Sequence, residues 1–443
     1  MLNKSIENYR KIILLASPII LANLSTPLLG LVDTAVIGQI GDAALLGAVA
    51  ISSMLFSFLF WGFGFLRMGT TALVAQSLGR KERKGAVHTF LQAAVMALLI
   101  GISLWVLQTP IANISFTLIG GSDLVEQAAL RYFSIRIWGA PANLLLLTMM
   151  GYLLGKQDSK SVLYLQLILN LSNILLDILL VVFLHMDVEG VALATVLAEY
   201  FAVLVGIGII WPTIKEITAD LTLHELLATG PLQRMLRINR DIMVRTLCLI
   251  FAFAWFTDQG ARSGDTILAA NMLLMQFVTF AAFFLDGFAL AAESLVGQAV
   301  GARDTNRTKY TIRITFELGV ASAFALSLLF GFTCHIFLSL LTSNEEVVNT
   351  ANVFAGWIIV APVISVASYL LDGVFIGAAL TREMRQAMIF SLGVFLVACW
   401  LLVDTFANNG LWAALMIYYL TRAASLAYFL PKVWADRTMA RSD

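Results

Sequence analysis

The stretch TTALVAQSLGR, residues 70–80, decides the fold because a related stretch, AAESLVGQAVG, occurs at residues 291–301. Gln76 of the first stretch corresponds to Gln298 of the second, an offset of 222 positions (298 minus 76). Further pairs keep this offset to within two positions: Leu73/Leu295, Val74/Val296, Gly79/Gly301, Gly41/Gly264, Asp42/Asp265, Ala140/Ala361, Pro141/Pro362, Gly151/Gly373 and Gly190/Gly410. The repeat predicts two related halves within one chain.

Composition places these halves in a membrane. The chain has 443 residues, of which 60% are hydrophobic and 13% charged. A soluble protein of this length could not bury so much apolar surface. Its apolar runs of about 20 residues match a hydrocarbon core of about 30 Å and differ from the short alternating strands of a membrane barrel. The formal net charge of +0 offers no field to attract nucleic acid. We therefore predict an all-α polytopic protein embedded in the lipid bilayer, without a nucleic-acid partner.

Twelve segments are long and apolar enough to cross a membrane. They lie near residues 12–37, 45–78, 86–108, 127–154, 161–184, 190–212, 240–261, 266–300, 310–333, 351–378, 387–404 and 410–430. They predict two pseudo-symmetric six-helix bundles, residues 1–212 and 237–431, a linker at 213–236 and a tail at 432–443. Lys and Arg concentrate in alternate loops, so the positive-inside rule places both termini, the linker and the tail in the cytoplasm.

Four polar side chains from four spans of the first half share one predicted depth. At a rise of about 1.5 Å per residue, Asp33, Tyr132, Asp177 and Thr195 each lie about five to seven residues from the outer end of their span. Asn173 lies one turn before Asp177 on the same helix face. An ionised group at mid-bilayer costs about 2.5–3.5 kcal/mol, so such residues need a reason. One interpretation is an ion-responsive cage; the other is inert, hydrogen-bonded polar groups that join helices.

Pro27 lies on the same span as Asp33. It removes one backbone hydrogen bond and clashes with the preceding turn, which predicts a bend. A bendable helix that carries a carboxylate suits a switch.

The second half has a different set of acids, Asp286, Glu293 and Asp372, at a greater depth from the outer face. One interpretation is a second ion site or a substrate site that attracts cationic compounds. The other is a set of salt bridges, with Arg67 as a candidate partner.

The chain has no G-x-x-x-x-G-K-[ST] sequence, which argues against an ATP-driven pump. Its four histidines are scattered and its three cysteines lie in apolar segments, so we expect no metal and no disulfide frame. No nucleophile–base pair suggests an enzyme. The expected energy source is an ion gradient.

Four sequence stretches carry a family resemblance: PLLGLVDTAVIG (27–38), FLRMGTTALVAQSLG (65–79), FLDGFALAAESLVGQAVGARD (284–304) and YLLDGVFIGA (369–378). Together they resemble the DinF-like branch of the multidrug and toxic compound extrusion (MATE) transporters. The resemblance implies two six-helix bundles facing a central cavity in the inner membrane of a bacterium. It also implies export of lipophilic or cationic organic compounds, coupled to H⁺ or Na⁺ and without a cofactor. We expect a monomer with small organic substrates.

The resemblance also implies roles for individual residues. Asp33 matches the carboxylate of the family's first helix, Asn173 and Asp177 match its span-5 pair, and Tyr132 and Thr195 match its span-4 tyrosine and span-6 hydroxyl.

Coupling to H⁺ is the expectation. The Na⁺-coupled branch has a carboxylate on span 7, where this chain offers Asp258 near the outer end. The alternatives are a Na⁺-coupled multidrug antiporter and a lipid-linked precursor flippase of the same superfamily. A flippase would need cationic groups to hold a pyrophosphate, for which Arg245, Arg262 and Arg422 are the candidates.

Overall fold

The computed structural model describes residues 9–26, 43–119, 123–218 and 229–434, which are almost entirely helical. The helices are α1 (9–26), α2 (Ala43–Gly62), α3 (Phe65–Gly79), α4 (Arg83–Val106), α5 (Gln108–Ile119), α6 (Asp123–Arg136), α7 (Ala140–Gly155), α8 (Ser159–Asp177), α9 (Val188–Thr218), α10 (Thr229–Arg262), α11 (Asp265–Gly301), α12 (Thr305–Leu341), α13 (Glu345–Gly377), α14 (Thr381–Phe429) and α15 (Pro431–Trp434). A 3₁₀ turn (Ile137–Gly139) precedes α7 and a π-helical segment (Ile178–Phe183) follows α8.

Short polar side chains fix where several helices begin. The carboxylate of Asp158 accepts a hydrogen bond from the amide of Ser161 at the start of α8. Asp304 does the same for the amide of Arg307 at the start of α12. The Asn344 side chain accepts from two amides at the start of α13. These oxygens satisfy backbone N–H groups that have no partner within the helix.

By length and composition, nine helices in the described part of the chain can cross a membrane. The other predicted spans also fall in helices. Residues 240–261 lie in α10, and residues 12–37 are described to residue 26 as part of α1. Residues 387–404 and 410–430 share α14, which is broken at Ala407 (φ 48°, ψ −130°). The predicted all-α polytopic fold with twelve transmembrane helices is confirmed.

Two connections differ from the sequence-based expectation. Of the predicted linker 213–236, residues 213–218 continue α9 and residues 229–236 belong to α10, while residues 219–228 lie outside the described residues. The pattern also did not predict α5, a 12-residue helix after α4. Residues 213–236 are more polar than the spans, and α5 has only 12 residues, so a search for long apolar segments identifies neither as a helix.

The chain divides into two compact units. The N-terminal unit comprises residues 21–239, and the C-terminal unit comprises residues 240–443 together with residues 1–20. The helix α1 therefore belongs to the C-terminal unit through residue 20 and to the N-terminal unit from residue 21.

The sequence repeat reappears as a repeat of turns. Non-glycine residues with positive φ occur at three pairs of positions separated by 222: Lys81/Arg303, Gln157/Ala379 and His185/Ala407. The hydrogen bonds at these turns also recur, since the amide of Glu82 donates to the carbonyl of Ser77 and that of Asp304 to Ala299. A left-handed residue at a helix end lets the following amides bond back to the last carbonyls. Both halves thus end their helices in the same way.

A close helix contact recurs at the same offset. A Cβ atom added at Gly151 would lie 2.5 Å from the carbonyl oxygen of Arg67, and one added at Gly373 would lie 2.1 Å from that of Ala289. Each glycine is followed by a second one four residues later, Gly155 or Gly377, which also faces backbone atoms of the partner helix. A small-xxx-small spacing lets two helix backbones approach closely in a membrane. This contact joins α7 to α3 and α13 to α11.

Replacement of Gly373 by alanine should destabilise the protein. The added methyl group meets a backbone oxygen that cannot rotate away, so α11 and α13 must separate, at a cost of about 1–3 kcal/mol. The matched control is Gly393→Ala on α14, where a Cβ meets no described atom within 4 Å. Thermal unfolding in detergent, followed by tryptophan fluorescence, should give a lower midpoint for Gly373→Ala alone. Equal midpoints would contradict the packing argument.

Candidate functional site

Three residues of the predicted cage come together in the N-terminal unit. Asn173 and Asp177 are fully buried on successive turns of α8. The amide of Asn173 donates to the hydroxyl of Thr195 on α9 at 3.1 Å, and that hydroxyl donates to the carbonyl of Val191 at 3.0 Å. This hydrogen bond fixes the Asn173 amide against α9. The carboxylate of Asp177 follows one turn later on α8.

The carboxylate lies where the helix changes its winding. Asp177 is the last residue of α8, and the π-helical segment begins at the next residue. At its end the amide of Leu184 donates to the carbonyl of Leu179, five residues earlier, at 3.0 Å. π-Helical turns are rare and are frequently found at functional sites. Residue spacing gave no signal for this change.

The other predicted members of the first-half site are located differently. Tyr132 on α6 is buried, and its hydroxyl lies 3.4 Å from that of Ser53 on α2. Asp33 and Pro27 lie outside the described residues.

Asn170, one turn before Asn173, joins two helices. Its amide donates to the carbonyl oxygen of Ser25 at 3.1 Å and to the hydroxyl of that residue at 2.9 Å. Its own carbonyl accepts from the side chain of Gln166 at 3.0 Å. The hydrogen bonds attach the described end of α1 to α8, which is the helix-joining role expected of asparagine in membranes.

Sequence reasoning missed a buried ion pair in the same unit. Arg136 at the end of α6 binds both carboxylate oxygens of Glu199 on α9, at 2.9 and 2.6 Å. The amide of Asn143 donates to the same carboxylate at 2.7 Å. A Cβ atom at Gly139 would lie 2.3 Å from Glu199 Oε2, so a larger residue in the 3₁₀ turn would displace the carboxylate from its present position. These charges belong to different spans, and a single sequence does not show that they pair.

In the C-terminal unit, Asp372 forms a buried salt bridge. Arg245 on α10 places Nε 3.1 Å and Nη2 2.5 Å from Asp372 Oδ2, and Nη2 of Arg422 on α14 donates to the same oxygen. All three side chains are buried. The salt-bridge interpretation therefore describes Asp372. The partners of Asp372 are these two arginines. The sequence suggested Arg67 as a candidate partner, and for Asp372 that expectation is wrong.

Asp286 and Glu293 share one face of α11 but differ in environment. Asp286 is partly exposed and lies close enough to Tyr369 and Tyr419 to interact with them electrostatically. Those two hydroxyls are hydrogen-bonded at 3.2 Å, and the guanidinium of Arg422 lies 5.6 Å from the Tyr369 ring centroid. Glu293 is buried where α11 meets Gly377. Asp286 therefore borders the Asp372 salt bridge, and Glu293 lies in the helix contact.

The sequence interpretation of span 240–261 left out Asp241, which is buried near the start of that span. Its carboxylate binds Arg385 at 2.7 Å and accepts from the hydroxyl of Thr381 at 3.3 Å. Asp258, the acid expected there, lies 2.8 Å from Arg262 on an exposed turn.

Replacement of Asp372 by asparagine should reduce stability strongly. It leaves two buried guanidiniums without their shared carboxylate, and breaking a buried pair in this way costs about 3–5 kcal/mol. The control is Asp258→Asn, whose ion pair with Arg262 has side chains 47% and 70% exposed and should contribute no more than about 1 kcal/mol. Thermal unfolding in detergent tests the difference. The double variant Asp372→Asn/Arg422→Gln should recover part of the loss, and equal midpoints for the two single variants would count against the salt bridge.

Comparison with known proteins identifies the family to which this architecture belongs. The profile of the MatE family matches residues 18–179 and 242–401, one match in each half. DNA damage-inducible protein F of Escherichia coli (strain K12) is 39% identical over 424 residues, covering 96% of this chain and 92% of that protein. A probable multidrug resistance protein NorM of Bacillus cereus is 24% identical over 461 residues, covering 98% of each. A crystal structure of MATE in the straight conformation superposes with a TM-score of 0.87 at 18% identity, covering 97% of this chain and 96% of that one, and so shows the fold. This multi-pass membrane protein belongs to the MatE family, whose members are transporters.

Proposed function

We propose that this protein is a proton-coupled antiporter that exports lipophilic or cationic organic compounds by alternating access. The buried carboxylate of Asp177 carries the proposal, because it lies one turn from an amide that binds Thr195. An ionised carboxylate inside a membrane is expensive, whereas the protonated form is not. Gain or loss of one proton at this position therefore changes which arrangement of the surrounding helices is favoured. Asp33, which lies outside the described residues, is the principal coupling acid that the sequence predicts, and Asp177 is its proposed partner.

Protons are favoured over Na⁺ by the acids of the C-terminal unit. Asp372 shares its charge with two arginines, and Asp258 is paired with Arg262 at an exposed position. A carboxylate already neutralised by a guanidinium does not need a metal cation. Coupling through Asp177 and Asp33 in the N-terminal unit requires no cation other than the proton.

The same ion pairs weigh against a lipid-linked precursor flippase. Arg245 and Arg422 are buried and both bind Asp372, and Arg262 binds Asp258. A pyrophosphate would have to compete with an internal carboxylate for each of them. Among the second-half acids named from the sequence, Asp286 is the partly exposed one, and we propose that it attracts cationic substrate.

The relatives and the energetics are consistent with drug export. The related proteins include a probable multidrug resistance protein and DNA damage-inducible protein F. A proton that returns across 100 mV releases about 2.3 kcal/mol, and each pH unit adds about 1.4 kcal/mol. For a neutral compound, one proton can therefore support a concentration ratio of order a hundredfold, whereas exchange of one proton for one monovalent cation is electroneutral and depends on the pH difference alone. We further propose a monomer in the inner membrane of a bacterium, with both termini cytoplasmic.

The coupling proposal is tested with the purified protein in liposomes. An imposed pH gradient should drive export of a fluorescent organic cation, and an imposed Na⁺ gradient should not. Asp33→Asn should abolish this export and Asp177→Asn should reduce it at least tenfold, because neither variant can bind and release the proton at that position. Asp187→Asn, a change of the same charge in the loop before α9, is the control and should retain wild-type rates.

Two outcomes would overturn the proposal. Transport that follows the Na⁺ gradient and ignores the pH gradient would identify a Na⁺-coupled antiporter. Wild-type rates in both Asp33→Asn and Asp177→Asn would exclude these carboxylates as the coupling groups.

Asn173→Ala should reduce transport partially. Interhelical hydrogen bonds in membranes contribute only about 0.6–2 kcal/mol, so loss of the Asn173–Thr195 bond should misplace the carboxylate without removing it. Thr195→Ala should have a similar effect, and the double variant should be little worse than either single variant because both remove one bond. Initial rates under the pH gradient provide the measurement. Complete inactivity of Asn173→Ala would instead indicate direct contact with the transported ion.

A further inference from the structure

A cleft of about 490 Å³ lies in the C-terminal unit, between the start of α1 and the first turns of α12. Its apolar floor includes Ile12, Leu295 and Ile314, which are all buried. Its polar rim includes Lys11 from α1 and Arg307 from α12. The cleft thus combines two cationic groups with an apolar surface, and none of its residues belongs to the candidate site.

The two cations are close enough to act on each other. Burial, followed by the charge of Arg307, lowers the pKa of the Lys11 amine. Asp304 supplies a carboxylate to the lining, but its Oδ1 accepts the backbone amide of Arg307 at 2.9 Å and caps α12. An anion between Lys11 and Arg307 would reduce their repulsion and restore the favourable environment that burial removes.

The position of the cleft indicates what kind of anion fits. Lys11 directly precedes the predicted span 12–37, and Arg307 lies three residues before the span 310–333. Both cations therefore lie at one edge of the hydrocarbon region, the edge that the positive-inside rule assigns to the cytoplasm. Basic groups at this edge attract anionic lipids. The volume is in the range of sites for small organic ligands, and the apolar floor offers contact for methylene groups.

We propose that this cleft binds an anionic phospholipid of the cytoplasmic leaflet, with its phosphate between Lys11 and Arg307 and its first acyl methylenes against Ile12 and Ile314. The lipid would attach the start of α1 to α12, where the hydroxyl of Tyr9 also donates to the carboxylate of Glu317. It would thereby hold the part of α1 that belongs to the C-terminal unit. This inference does not depend on the coupling ion.

Lipid binding to the purified full-length protein is measured by native mass spectrometry with phosphatidylglycerol, phosphatidylcholine or inorganic phosphate. Phosphatidylglycerol should bind more tightly than phosphatidylcholine and raise the unfolding midpoint. Lys11→Gln/Arg307→Gln should weaken phosphatidylglycerol binding about 30-fold, since two basic groups contribute about 2 kcal/mol. Lys160→Gln/Arg382→Gln removes the same two types of charge at exposed positions and should bind as the wild type does.

Three results would overturn the proposal. The first is equal binding of both lipids by the wild type. The second is an equal loss of phosphatidylglycerol binding in both double variants. The third is displacement of the lipid by inorganic phosphate alone, with the same thermal shift. The last result would identify a site for a free anion. The comparison of the two lipids on the wild type tests the proposal even if a variant does not fold. Asp33→Asn should bind phosphatidylglycerol as the wild type does, which separates this inference from the transport mechanism.

Discussion

The close approach of two helix backbones in each half is the constraint on which the other features depend. Gly151 and Gly373 bring α7 against α3 and α13 against α11, with no space for even one methyl group. Since lipid tails are as apolar as leucine, burial of apolar surface does not drive helices together within a bilayer, and close van der Waals packing has to do so. This contact also sets the level of neighbouring polar residues. Asp372 directly precedes Gly373, so the register that places the glycine against Ala289 also directs the carboxylate to α10 and α14.

The buried ion pairs described above each form within one unit. The Arg136–Glu199 pair lies within the N-terminal unit, and the Arg245–Asp372–Arg422 cluster lies within the C-terminal unit. The free energy needed to desolvate such a pair is nearly as large as the attraction between its charges. Removal of one partner is strongly destabilising, because it leaves the other charge buried and unpaired. They therefore fix which helices are neighbours and at what height. Asp177 is buried one turn after Asn173 and directly before the π-helical segment. We assign a structural role to Asp372 because two arginines bind it, and proton coupling to Asp177 because its carboxylate is buried within a membrane helix.

The first helix, α1, contributes residues to both units. Its residues up to 20 belong to one unit and those from 21 to the other, and each part has its own attachments. Ile20 fits against Gly287, where a Cβ atom would lie 2.2 Å from its Cγ1, while Ser25 accepts the Asn170 amide. The proposed lipid cleft adds a third attachment at Lys11. These attachments hold α1 at several points along its length.

The sequence by itself determined the class, the repeat and the family. A hydrophobic content of 60% and twelve apolar runs require helices, since only helices and closed barrels satisfy every backbone polar group in lipid. Helical spacing also placed Asn173 and Asp177 on one face, and both the predicted depth and the family resemblance pointed to Thr195. Only the tertiary structure decided which charges meet. Arg245, Asp372 and Arg422 are separated by 127 and 50 positions, and a single sequence has no local pattern that links residues on different spans. The π-helical turn at Asp177 and the bonding of Asn170 to Ser25 were likewise decided by packing, because both depend on which helix lies alongside.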